Sequence, residues 1–462
     1  VYYYLFRDYE MIEWGLSFGS HDSAIAVFQD DALVFATEGE RWSRKKHDKQ
    51  LPQNLIDYVL QTYGDPQEIY YFEDWEKKNH RRKVAGQEPK LKPPMMAGKH
   101  YNDWIITGHH HSHASWGYYS SPFVGEGTCT TIVIDAIGEW DTMSIWRCSG
   151  GTMSRTYSWT YPKSLGLMYT AATIAGGWKG NSEEYKMMGA AAYGNGQKEY
   201  EVLKALYDHG FNFHKGWDYK GDKFEIAAGA QRLYKESLEL MTKYVQGPIV
   251  LVGGCALNTS ANRFITNELY IPPAPNDAGS AIGCVLAHKK KQLDISPFLG
   301  YNISNELKIE RLYDQLVSTG YVGSCFGRAE LGHRALGHRS ILADPHTKNW
   351  KLKLNEIKNR EAWRPYGMMV REMDAKHYIK NPRPSPYMDQ CFEVWEDMVP
   401  QDLIHHDGTV RVQTVTNEHE LWPLFDHFPI LVNTSMNLSG QPLVNDEKDL
   451  EEFRQATDLE IP

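Results

Sequence analysis

Short apolar runs, bounded by glycines, prolines and polar residues, recur in the first quarter of the chain. They lie at 14–18, 24–28, 32–36, 69–72 and 104–107, and each is four or five residues long. Runs of this length with such boundaries are typical of strands in a sheet. The pattern therefore predicts five strands, the first three connected by short polar turns.

Segments with helical periodicity alternate with further strands along the chain. Helices are predicted at 55–62, 169–176, 230–245 and 280–288, and strands at 130–134 and 249–252. Such alternation predicts an α/β domain that extends to about Lys291. Its opening strands match the way in which actin-like and hexokinase-like ATPase domains begin.

The character of the sequence changes after a polar segment at 292–305. Beyond it, strands are predicted at 321–323, 368–370, 410–415 and 430–432, separated by basic loops. A chain of 462 residues is expected to form two domains. The pattern therefore predicts a second domain after this segment, and the sequence shows no internal repeat.

Composition and charge narrow the class of protein. Hydrophobic residues make up 42% of the chain, enough for two cores, and no apolar run has the length of a membrane span. The net charge of −10 argues against a general polyanion-binding surface. Six cysteines are scattered without a CxxC pair, and residues 1–10 lack the features of a signal peptide. We therefore expect free thiols, no membrane partner and a cytoplasmic location.

Four histidines occupy the five positions 109–113 and are the first candidates for chemistry. His109 and His113 are spaced i, i+4, so on a helix their imidazoles point the same way. Asp135 ends the strand at 130–134, and Asp277 lies in a turn before an apolar helix. Two histidines and two carboxylates suit a divalent metal such as iron, manganese or zinc. The alternative is a histidine-rich loop that caps a helix, but the two aspartates favour the metal.

Two glycine turns predict a nucleotide-binding cleft. Gly253 and Gly254 follow the strand at 249–252, with Asn258 close behind, and Gly279 lies in a second turn further along. Glycine lets the backbone approach a phosphate closely, and a helix N-terminus favours the negative charge. One such turn is weak evidence, whereas two, one strand–helix unit apart, favour a nucleotide.

Arginines set among glycines at 327–340 indicate an anion-binding site. Further cations follow at Lys358, Arg364 and Arg411, and the segment 433–437 adds hydroxyl and amide donors. Guanidinium groups bind phosphate or carboxylate oxygens in a bidentate manner. Surface ion pairs are the alternative, but they do not require glycine on both sides, so the anion site is preferred.

A basic segment at 77–92 runs against the overall negative charge. Its cations are Lys77, Lys78, Arg81, Arg82, Lys83, Lys90 and Lys92. Charge runs of this kind are usually a solvated face. The alternative is a patch that faces a phosphate-bearing acceptor.

These motifs together resemble the O-carbamoyltransferase family, which includes enzymes of aminoglycoside, cephalosporin and nodulation-factor biosynthesis. The resemblance rests on 21–24 (His-Asp-Ser-Ala), 36–48, the histidine run 109–114, 184–194 and the later basic motifs. It extends from about Trp14 to Val444.

The resemblance implies two catalytic domains: an actin/hexokinase-like ATPase-type α/β domain at 11–300 and an α+β YrdC-like domain at 306–462. The first is similar to the fold used in tRNA threonylcarbamoyl transfer. In the second, carbamoyl phosphate and ATP with Mg²⁺ would give carbamoyl-adenylate and pyrophosphate. The intermediate would then move to the first domain, where an acceptor hydroxyl attacks it to give a carbamate ester and AMP.

The resemblance also implies a role for individual residues. The metal ligands are His109, His113, Asp135 and Asp277. The general base for the acceptor hydroxyl is His21, with Asp22 beside it. The nucleotide-binding residues are Gly253, Gly254, Asn258, Lys186 and Gly279. The carbamoyl phosphate-binding residues are Arg334, Lys358, Arg364, Arg411, Ser435 and Asn437.

Two other functions stay open on the sequence: an enzyme of the tRNA threonylcarbamoylation type, and a non-catalytic nucleotide-binding protein. The dense set of carbamoyl phosphate motifs disfavours both. The expected acceptor is a small hydroxylated metabolite or a hydroxymethylated pyrimidine, such as 5-hydroxymethylcytosine in DNA. The oligomeric state, a homodimer included, is left open.

Overall fold

The computed structural model describes residues 10–125 and 127–462, and its first sheet opens with the predicted hairpins. The strands of this sheet are β1 (Ile12–Ser17), β2 (Ala24–Gln29), β3 (Ala32–Glu38), β4 (Glu68–Tyr71) and β5 (Ile105–Ile106). Their order across the sheet is β3-β2-β1-β4-β5. The first three are antiparallel, and β4 and β5 run parallel to β1.

A second five-stranded sheet repeats this topology. Its strands are β6 (Thr128–Gly138), β7 (Asp141–Ser149), β8 (Thr152–Thr160), β9 (Ile249–Val252) and β10 (Leu269–Tyr270). Their order is β8-β7-β6-β9-β10, again with three antiparallel strands followed by two parallel ones. Two sheets of equal topology define the actin/hexokinase-like fold, so the predicted fold class is confirmed. The duplication is one of topology and leaves no repeat in the sequence.

Two helices pack against each other between these sheets. The helices of this part are α1 (Gly39–Ser43), α2 (Gln53–Tyr63), α3 (Trp75–Val84), α4 (His109–Tyr119), α5 (Leu165–Ala175), α6 (Glu184–Ala190), α7 (Gln197–Asp208), α8 (Lys223–Thr242), α9 (Thr259–Asn262) and α10 (Asp277–Lys289). Helix α4 contacts β6 and β9, whereas α10 contacts β1 and β2. The α4–α10 pair therefore joins the two sheets.

Small residues allow the close contacts of α10. A Cβ atom built at Gly283 would lie 1.9 Å from the backbone oxygen of Ser112 on α4. One built at Gly15 on β1 would lie 1.8 Å from the backbone oxygen of Ala281. Any side chain at either position would push α10 away from its neighbours.

The remainder of the chain forms a mixed sheet with helices, an α+β arrangement. Its strands are β11 (Phe298–Asn302), β12 (Tyr321–Cys325), β13 (Arg328–Glu330), β14 (Arg339–Ala343), β15 (Gly367–Arg371), β16 (Gln390–Glu393), β17 (Thr409–Val415) and β18 (Ile430–Ser435). Its helices are α11 (Ile309–Thr319), α12 (Trp350–Lys358) and α13 (Glu447–Ala456). The six-stranded sheet has the order β12-β14-β18-β15-β17-β16, and β11 pairs with β13.

The buried Arg41 and the half-buried Arg328 connect this third sheet region to the first sheet, and Arg339 bonds within the third region. Arg41 on α1 is 1% exposed and donates to the backbone oxygens of Gly332 (2.7 Å) and Glu330 (3.1 Å). Arg328 donates to the backbone oxygen of Val34 on β3 (2.7 Å), and the fully buried Arg339 donates to that of Phe326 (2.7 Å). Two of the three arginines at 327–340 thus bind backbone carbonyls, and only Arg334 is available for the predicted anion site.

All six cysteines are free thiols, as expected from their scatter. Within 10–125 and 127–462, every helix falls short of the length and apolarity that crossing a bilayer requires. The expectation for the opening residues 1–9 lies outside the described residues.

Candidate active site

Four side chains that could hold a metal ion converge where α4, β6 and α10 meet. His109 and His113 lie one turn apart on α4, with their Nε2 atoms 3.2 Å apart. His109 Nε2 lies 2.9 Å from Asp135 Oδ2, and His113 Nε2 lies 3.3 Å from Asp277 Oδ1. One ligand atom from each residue lies within 4.8 Å of all the others. The chain thus brings together all four of the predicted metal ligands.

The two aspartates reach this cluster from positions that the sequence placed slightly wrongly. Asp135 lies inside β6, where the pairing with β7 becomes irregular between Ile134 and Gly138. Such an irregularity bends a strand and can redirect a side chain. Asp277 is the first residue of α10 rather than part of a preceding turn.

The surroundings of the cluster fit a divalent cation. Burial opposes a positive charge on His109, but Asp277, Asp135 and Glu73 raise its pKa to about 9. Burial likewise acts against charge on Asp135, yet the hydrogen bond and charge of His109 lower its pKa. Two buried carboxylates therefore require nearby positive charge, and two imidazole nitrogens with two carboxylate oxygens suit iron, manganese or zinc.

Glu73 stands behind the cluster. Its Oε1 atom lies 3.8 Å from His109 Nδ1, and its other oxygen pairs with Lys78. Ligand histidines commonly direct their second nitrogen at a carboxylate, which fixes the ring. Glu73 was not predicted, because a lone glutamate after a strand has no distinctive spacing.

His21 and Asp22 lie beside the cluster, with both ring nitrogens of His21 engaged. Nδ1 lies 3.0 Å from Asp22 Oδ2, and Nε2 lies 2.7 Å from the backbone oxygen of Asn181. Burial would lower the pKa of His21, but Asp22 and the Asn181 carbonyl raise it to about 10. Both ring nitrogens face acceptors in this arrangement, which favours the cationic imidazole, so His21 can accept a proton only after it has lost one.

Asp22 also binds two residues that the sequence did not single out. His47 Nδ1 lies 2.7 Å from Asp22 Oδ1, and Asn276 donates to Asp22 Oδ2 (2.6 Å). Because Asn276 precedes Asp277, this bond links His21 and Asp22 to the metal cluster, by which we mean the four side chains of His109, His113, Asp135 and Asp277. His47 lies inside the motif at 36–48 and could have been found there, whereas Asn276 carried no signal.

Of the five predicted nucleotide-binding residues, three line the large cavity and two do not. Gly254 N–H donates to Asp135 Oδ1 (3.2 Å), and Asn258 pairs with Gln231 (2.9 and 3.0 Å). Lys186 pairs with Glu183 (2.7 Å) and Glu361 (3.2 Å). All three line the large cavity described below.

Gly253 and Gly279 serve packing instead. Gly253 has φ +92°, and a Cβ there would lie 2.2 Å from the backbone oxygen of Ile134. Gly279 lies inside α10, where a Cβ would meet Trp116 Nε1 at 2.3 Å. Neither lines the cavity. Gly279 thus belongs to the first turn of α10 rather than to a separate turn, and it lies against an indole; its assignment to the nucleotide stays a prediction.

The predicted carbamoyl phosphate residues lie together on the third sheet region and α12. Lys358 Nζ donates to Ser435 Oγ (3.0 Å), to the backbone oxygen of Asn437 (3.0 Å) and to its side-chain oxygen. Burial and the cations Arg360, Lys46 and Arg364 lower the pKa of Lys358.

Arg334 and Arg411 lie near Lys358, and together with Arg364 these residues form what we call the cationic group. Burial lowers the pKa of Arg334 to about 10, and burial together with Arg334 lowers that of Arg411 to about 9. Nε of Arg411 has no hydrogen-bond partner among the described residues. Arg364 is paired with Glu361 (3.3 Å). Cations that are buried with so few carboxylates provide a site for an anion.

One cavity of about 1180 Å³ connects the two groups of residues. The metal cluster contributes His109, Asp135 and Asp277 to its wall, and the third sheet region contributes Arg334, Lys358, Arg364, Arg411, Ser435 and Asn437. Contacts such as Tyr193 Oη to the backbone oxygen of Trp363 (3.1 Å) join the two sides. Both groups of residues thus line the same cavity.

Residues 13–92 and 90–246 match the description "Carbamoyltransferase N-terminus", and residues 313–461 match "Carbamoyltransferase C-terminus". The chain therefore belongs to the carbamoyltransferase family. These matches cover most of the chain and confirm the resemblance. The protein is a carbamoyltransferase.

Several curated relatives are similar over nearly the whole chain. A 3'-hydroxymethylcephem-O-carbamoyltransferase from Streptomyces clavuligerus is 24% identical over 96% of each chain. Nodulation protein NolNO from Sinorhizobium fredii is 27% identical over 95% of this chain and 77% of its own. Full-length HypF in a phosphate- and nucleotide-bound form is 14% identical with a TM-score of 0.36 over 61% of this chain and 46% of that chain, too low a similarity to support any conclusion.

Proposed function

We propose that the protein is an ATP-dependent O-carbamoyltransferase that makes carbamoyl-adenylate at the cationic group and transfers its carbamoyl group to a hydroxyl at the metal cluster. The observation that carries this proposal is the single cavity shared by both groups. We assign the first activity to a YrdC-like domain at 306–462 and the second to 11–300.

The first step must account for every phosphoryl group of its two substrates. Carbamoyl phosphate and ATP together hold four phosphoryl groups, whereas carbamoyl-adenylate and pyrophosphate hold three. Water therefore attacks the phosphorus of carbamoyl phosphate and breaks its P–O bond, which gives phosphate and a carbamate that keeps both carbamoyl oxygens. A carbamate oxygen then attacks the α-phosphorus of ATP as pyrophosphate leaves. Two polyanions must meet for this step, so Arg334, Lys358 and Arg411 neutralise them.

Ser435 and Asn437 keep Lys358 in place for this task. Four oxygen acceptors around Nζ, the backbone and side-chain oxygens of both residues, fix the ammonium at the cavity wall. Ser435 Oγ also donates to Asn437 Oδ1 (2.7 Å). The low pKa of Lys358 in the absence of an anion would rise when a phosphate binds, because the bound charge favours the ammonium.

In the second step the acceptor oxygen attacks the carbamoyl carbon, AMP leaves, and the hydroxyl proton moves to a base. A divalent ion held by His109, His113, Asp135 and Asp277, iron(II) in preference to manganese or zinc, would act as a Lewis acid toward the adenylate phosphate. His21 is the base. When the acceptor hydroxyl replaces the Asn181 carbonyl, the imidazolium first loses its Nε2 proton to solvent, and the free Nε2 then accepts the proton of the hydroxyl.

Gly254, Asn258 and Lys186 line the cavity between the two groups and are assigned to the nucleotide. The acceptor is a small hydroxylated metabolite or a hydroxymethylated pyrimidine such as 5-hydroxymethylcytosine in DNA. Support for a hydroxymethyl group comes from relatives named 3'-hydroxymethylcephem-O-carbamoyltransferase.

Product stoichiometry tests the proposal. Purified protein is incubated with ATP, Mg²⁺, iron(II) and carbamoyl phosphate, and each component is omitted in turn. We expect one pyrophosphate and one phosphate released for each ATP consumed, with neither step proceeding when carbamoyl phosphate is absent. Carbamoyl transfer at full rate without ATP, or release of ADP instead of AMP, would overturn the proposal.

A further inference from the structure

One face of α3 lines the cavity that holds the metal cluster. Lys78, Arg81 and Arg82 lie on this face, and Lys90 joins them from the segment that follows. Lys77, from the same helix, does not line the cavity: its side chain is 63% exposed and pairs with Asp74 (3.2 Å). The basic segment is therefore divided into a solvated side and a side that faces the active site.

Three of the four cations are already held by the protein. Arg82 Nε donates to the backbone oxygen of Glu88 (2.7 Å). Lys78 pairs with Glu73 and donates to Ser20, and Lys90 donates to the backbone oxygen of Gly19. Both contacts lie next to the loop that carries His21. They fix the α3 face against the metal cluster, because Glu73 also approaches His109.

Arg81 is the exception. The residue is 4% exposed, yet its Nε and Nη1 atoms have no hydrogen-bond acceptor among the described residues. Its nearest aromatic contact is Tyr161, with the guanidinium 5.8 Å from the ring centre. A buried guanidinium without a carboxylate is costly, and proteins retain such groups where a ligand supplies the missing charge.

The neighbours of Arg81 increase the need for an anion. Burial and Arg82 lower the pKa of Arg81, although Glu73 opposes them. Burial, Lys78, Lys49 and Arg82 lower the pKa of Lys90 to about 8. These cations outnumber the one carboxylate among them, Glu73, which Lys78 already engages.

The α3 face is also close enough to the metal cluster for one ligand to contact both. Arg81 follows Lys78 by one helical turn, which corresponds to roughly 5–6 Å between Cβ atoms. Lys78 is connected through Glu73 to His109 of the metal cluster. A molecule of nucleotide or sugar phosphate size could therefore contact Arg81 and the metal cluster at the same time.

We propose that the carbamoyl acceptor carries a phosphate group, that Arg81 with Arg82 and Lys90 binds this phosphate, and that its hydroxyl reaches the metal cluster. The inference rests on the proposed function and names the substrate class of that site. The phosphates of ATP and carbamoyl phosphate have their own cations at Arg334, Lys358 and Arg411. The α3 cations are thus left for the third substrate, whether a free nucleotide or a nucleic acid strand.

The first test needs no turnover and uses inorganic phosphate as the probe. Thermal unfolding is followed as phosphate is titrated, with Arg364→Ala present throughout to weaken the donor site. Arg81→Gln is compared with Lys77→Gln, which removes the same charge from the solvated side of the same helix. We expect Arg81→Gln to require at least ten-fold more phosphate for half-maximal stabilisation. Equal phosphate dependence in the two variants would overturn the proposal.

Ligand-free stability separates binding from a structural role. An unpaired buried guanidinium destabilises the free protein, so Arg81→Gln should unfold at the same temperature as Lys77→Gln or higher. Arg81→Lys, which keeps the charge, should retain most of the phosphate response. If both Arg81 variants lower the unfolding temperature and lose the phosphate response to the same extent, Arg81 is structural and the proposal fails.

The second test identifies the source of the phosphate. The acceptors are 5-hydroxymethyl-2'-deoxycytidine, its 5'-monophosphate and a single-stranded oligonucleotide with one 5-hydroxymethylcytosine. We expect a phosphorylated acceptor to have a KM at least ten-fold below that of the nucleoside, and the ratio between monophosphate and oligonucleotide separates a free nucleotide from DNA. Equal use of nucleoside and monophosphate would overturn the inference. Absence of pyrophosphate release from the parent protein would instead overturn the proposed function, and the phosphate titration would still decide the α3 site.

Discussion

His113 and Arg364 occupy opposite ends of one cavity and differ in their surroundings. The His113 side chain is fully buried and lies among two carboxylates and a second imidazole. Arg364 is 20% exposed, pairs with Glu361 and lies over Tyr185. Because the two residues serve different steps in the proposed reaction, their loss should be distinguishable.

We expect His113→Ala to lower carbamoyl transfer by roughly 100-fold while pyrophosphate release continues, and Arg364→Ala to lower pyrophosphate release itself by a similar factor. The physical reason is that a metal ligand acts after the adenylate has formed, whereas the guanidinium acts on the phosphates that form it. Pyrophosphate and carbamoylated product are measured separately for each variant.

His111→Ala is the matched control for His113→Ala, since His111 lies on the same helix but stacks on Trp146 at 5.2 Å outside the metal cluster. It should retain both activities. Equal loss of pyrophosphate release in His113→Ala and Arg364→Ala would argue against two separate sites.

For individual residues, the sequence predicted the arrangement correctly where a periodic spacing was present. It was less accurate where only the type of residue suggested a role. The i, i+4 spacing brought His109 and His113 together as expected. Arg328 and Arg334 both lie among glycines, yet only Arg334 faces the cavity, because Arg328 is turned toward backbone carbonyls. Gly279 looked like part of a separate turn but belongs to α10 and lies against Trp116. Contacts of this kind, between residues far apart in the sequence, cannot be inferred from residue type alone.

The α4–α10 pair is the element that assembles the metal cluster. One helix supplies both histidines, and the other begins with Asp277. Their separation is fixed by the contact between Gly283 and the Ser112 backbone. The geometry of the cluster therefore depends on a residue with no polar atom in its side chain.

We expect Gly283→Ala to destabilise the protein by roughly 1–3 kcal/mol, because a Cβ 1.9 Å from a backbone oxygen forces the helices apart. The same shift moves Asp277 away from His113, so binding of iron(II) should weaken as well. Chemical unfolding and metal titration measure the two effects.

Gly189→Ala provides the comparison for this substitution. Gly189 is also helical, but a Cβ there would have ordinary contacts of 3.4 Å with Pro365 and Trp363. Alanine favours the helix over glycine, so stability should stay level or rise slightly. If Gly283→Ala were as stable as Gly189→Ala and bound metal normally, the assigned packing role would be wrong.

Elements with strong apolar patterns were predicted more accurately than those with mixed ones. The apolar runs of β1, β2, β6 and β9 were found, with small differences at their ends. The second and third strands of the second sheet, β7 and β8, were missed, since most of β8 is exposed and its polar residues hide the alternation. The repeated topology followed from these two strands and therefore could not be anticipated.

At the scale of the molecule, Arg41 couples the first sheet to the third. Its guanidinium is buried and satisfies two backbone oxygens of the segment that leads to Arg334. The cavity runs beside this contact and includes Glu38 of the strand that precedes α1. Arg41 thus holds together two parts of the chain that both contribute to the cavity wall.

We expect Arg41→Met to cost about 2 kcal/mol in stability, because two buried carbonyl oxygens lose their donor. A loosened contact would also let water reach carbamoyl-adenylate before transfer. The ratio of pyrophosphate released to carbamoylated product should then rise at least two-fold. Lys45→Met, a substitution at an exposed position two residues beyond α1, should leave the ratio unchanged. An unaltered ratio in Arg41→Met would show that the cavity stays closed without this contact.

The two-part organisation itself followed from the change in sequence pattern near 292–305, but the division at 300 and 306 stays a prediction. What the sequence could not supply is the shared cavity. Its wall combines residues as distant along the chain as Asp22 and Asn437, and no local pattern relates them.

The central claim, a carbamoyl-adenylate made and consumed in one cavity, is tested most directly by isotope transfer. Carbamoyl phosphate labelled with oxygen-18 at both carbamoyl oxygens is supplied with unlabelled ATP and an acceptor, and the mass of the AMP product is measured. If a carbamate oxygen attacks the α-phosphorus and the acceptor then attacks the carbamoyl carbon, one labelled oxygen stays on the AMP. We expect AMP with one oxygen-18 atom, whereas carbamoylated product beside unlabelled AMP would contradict this mechanism.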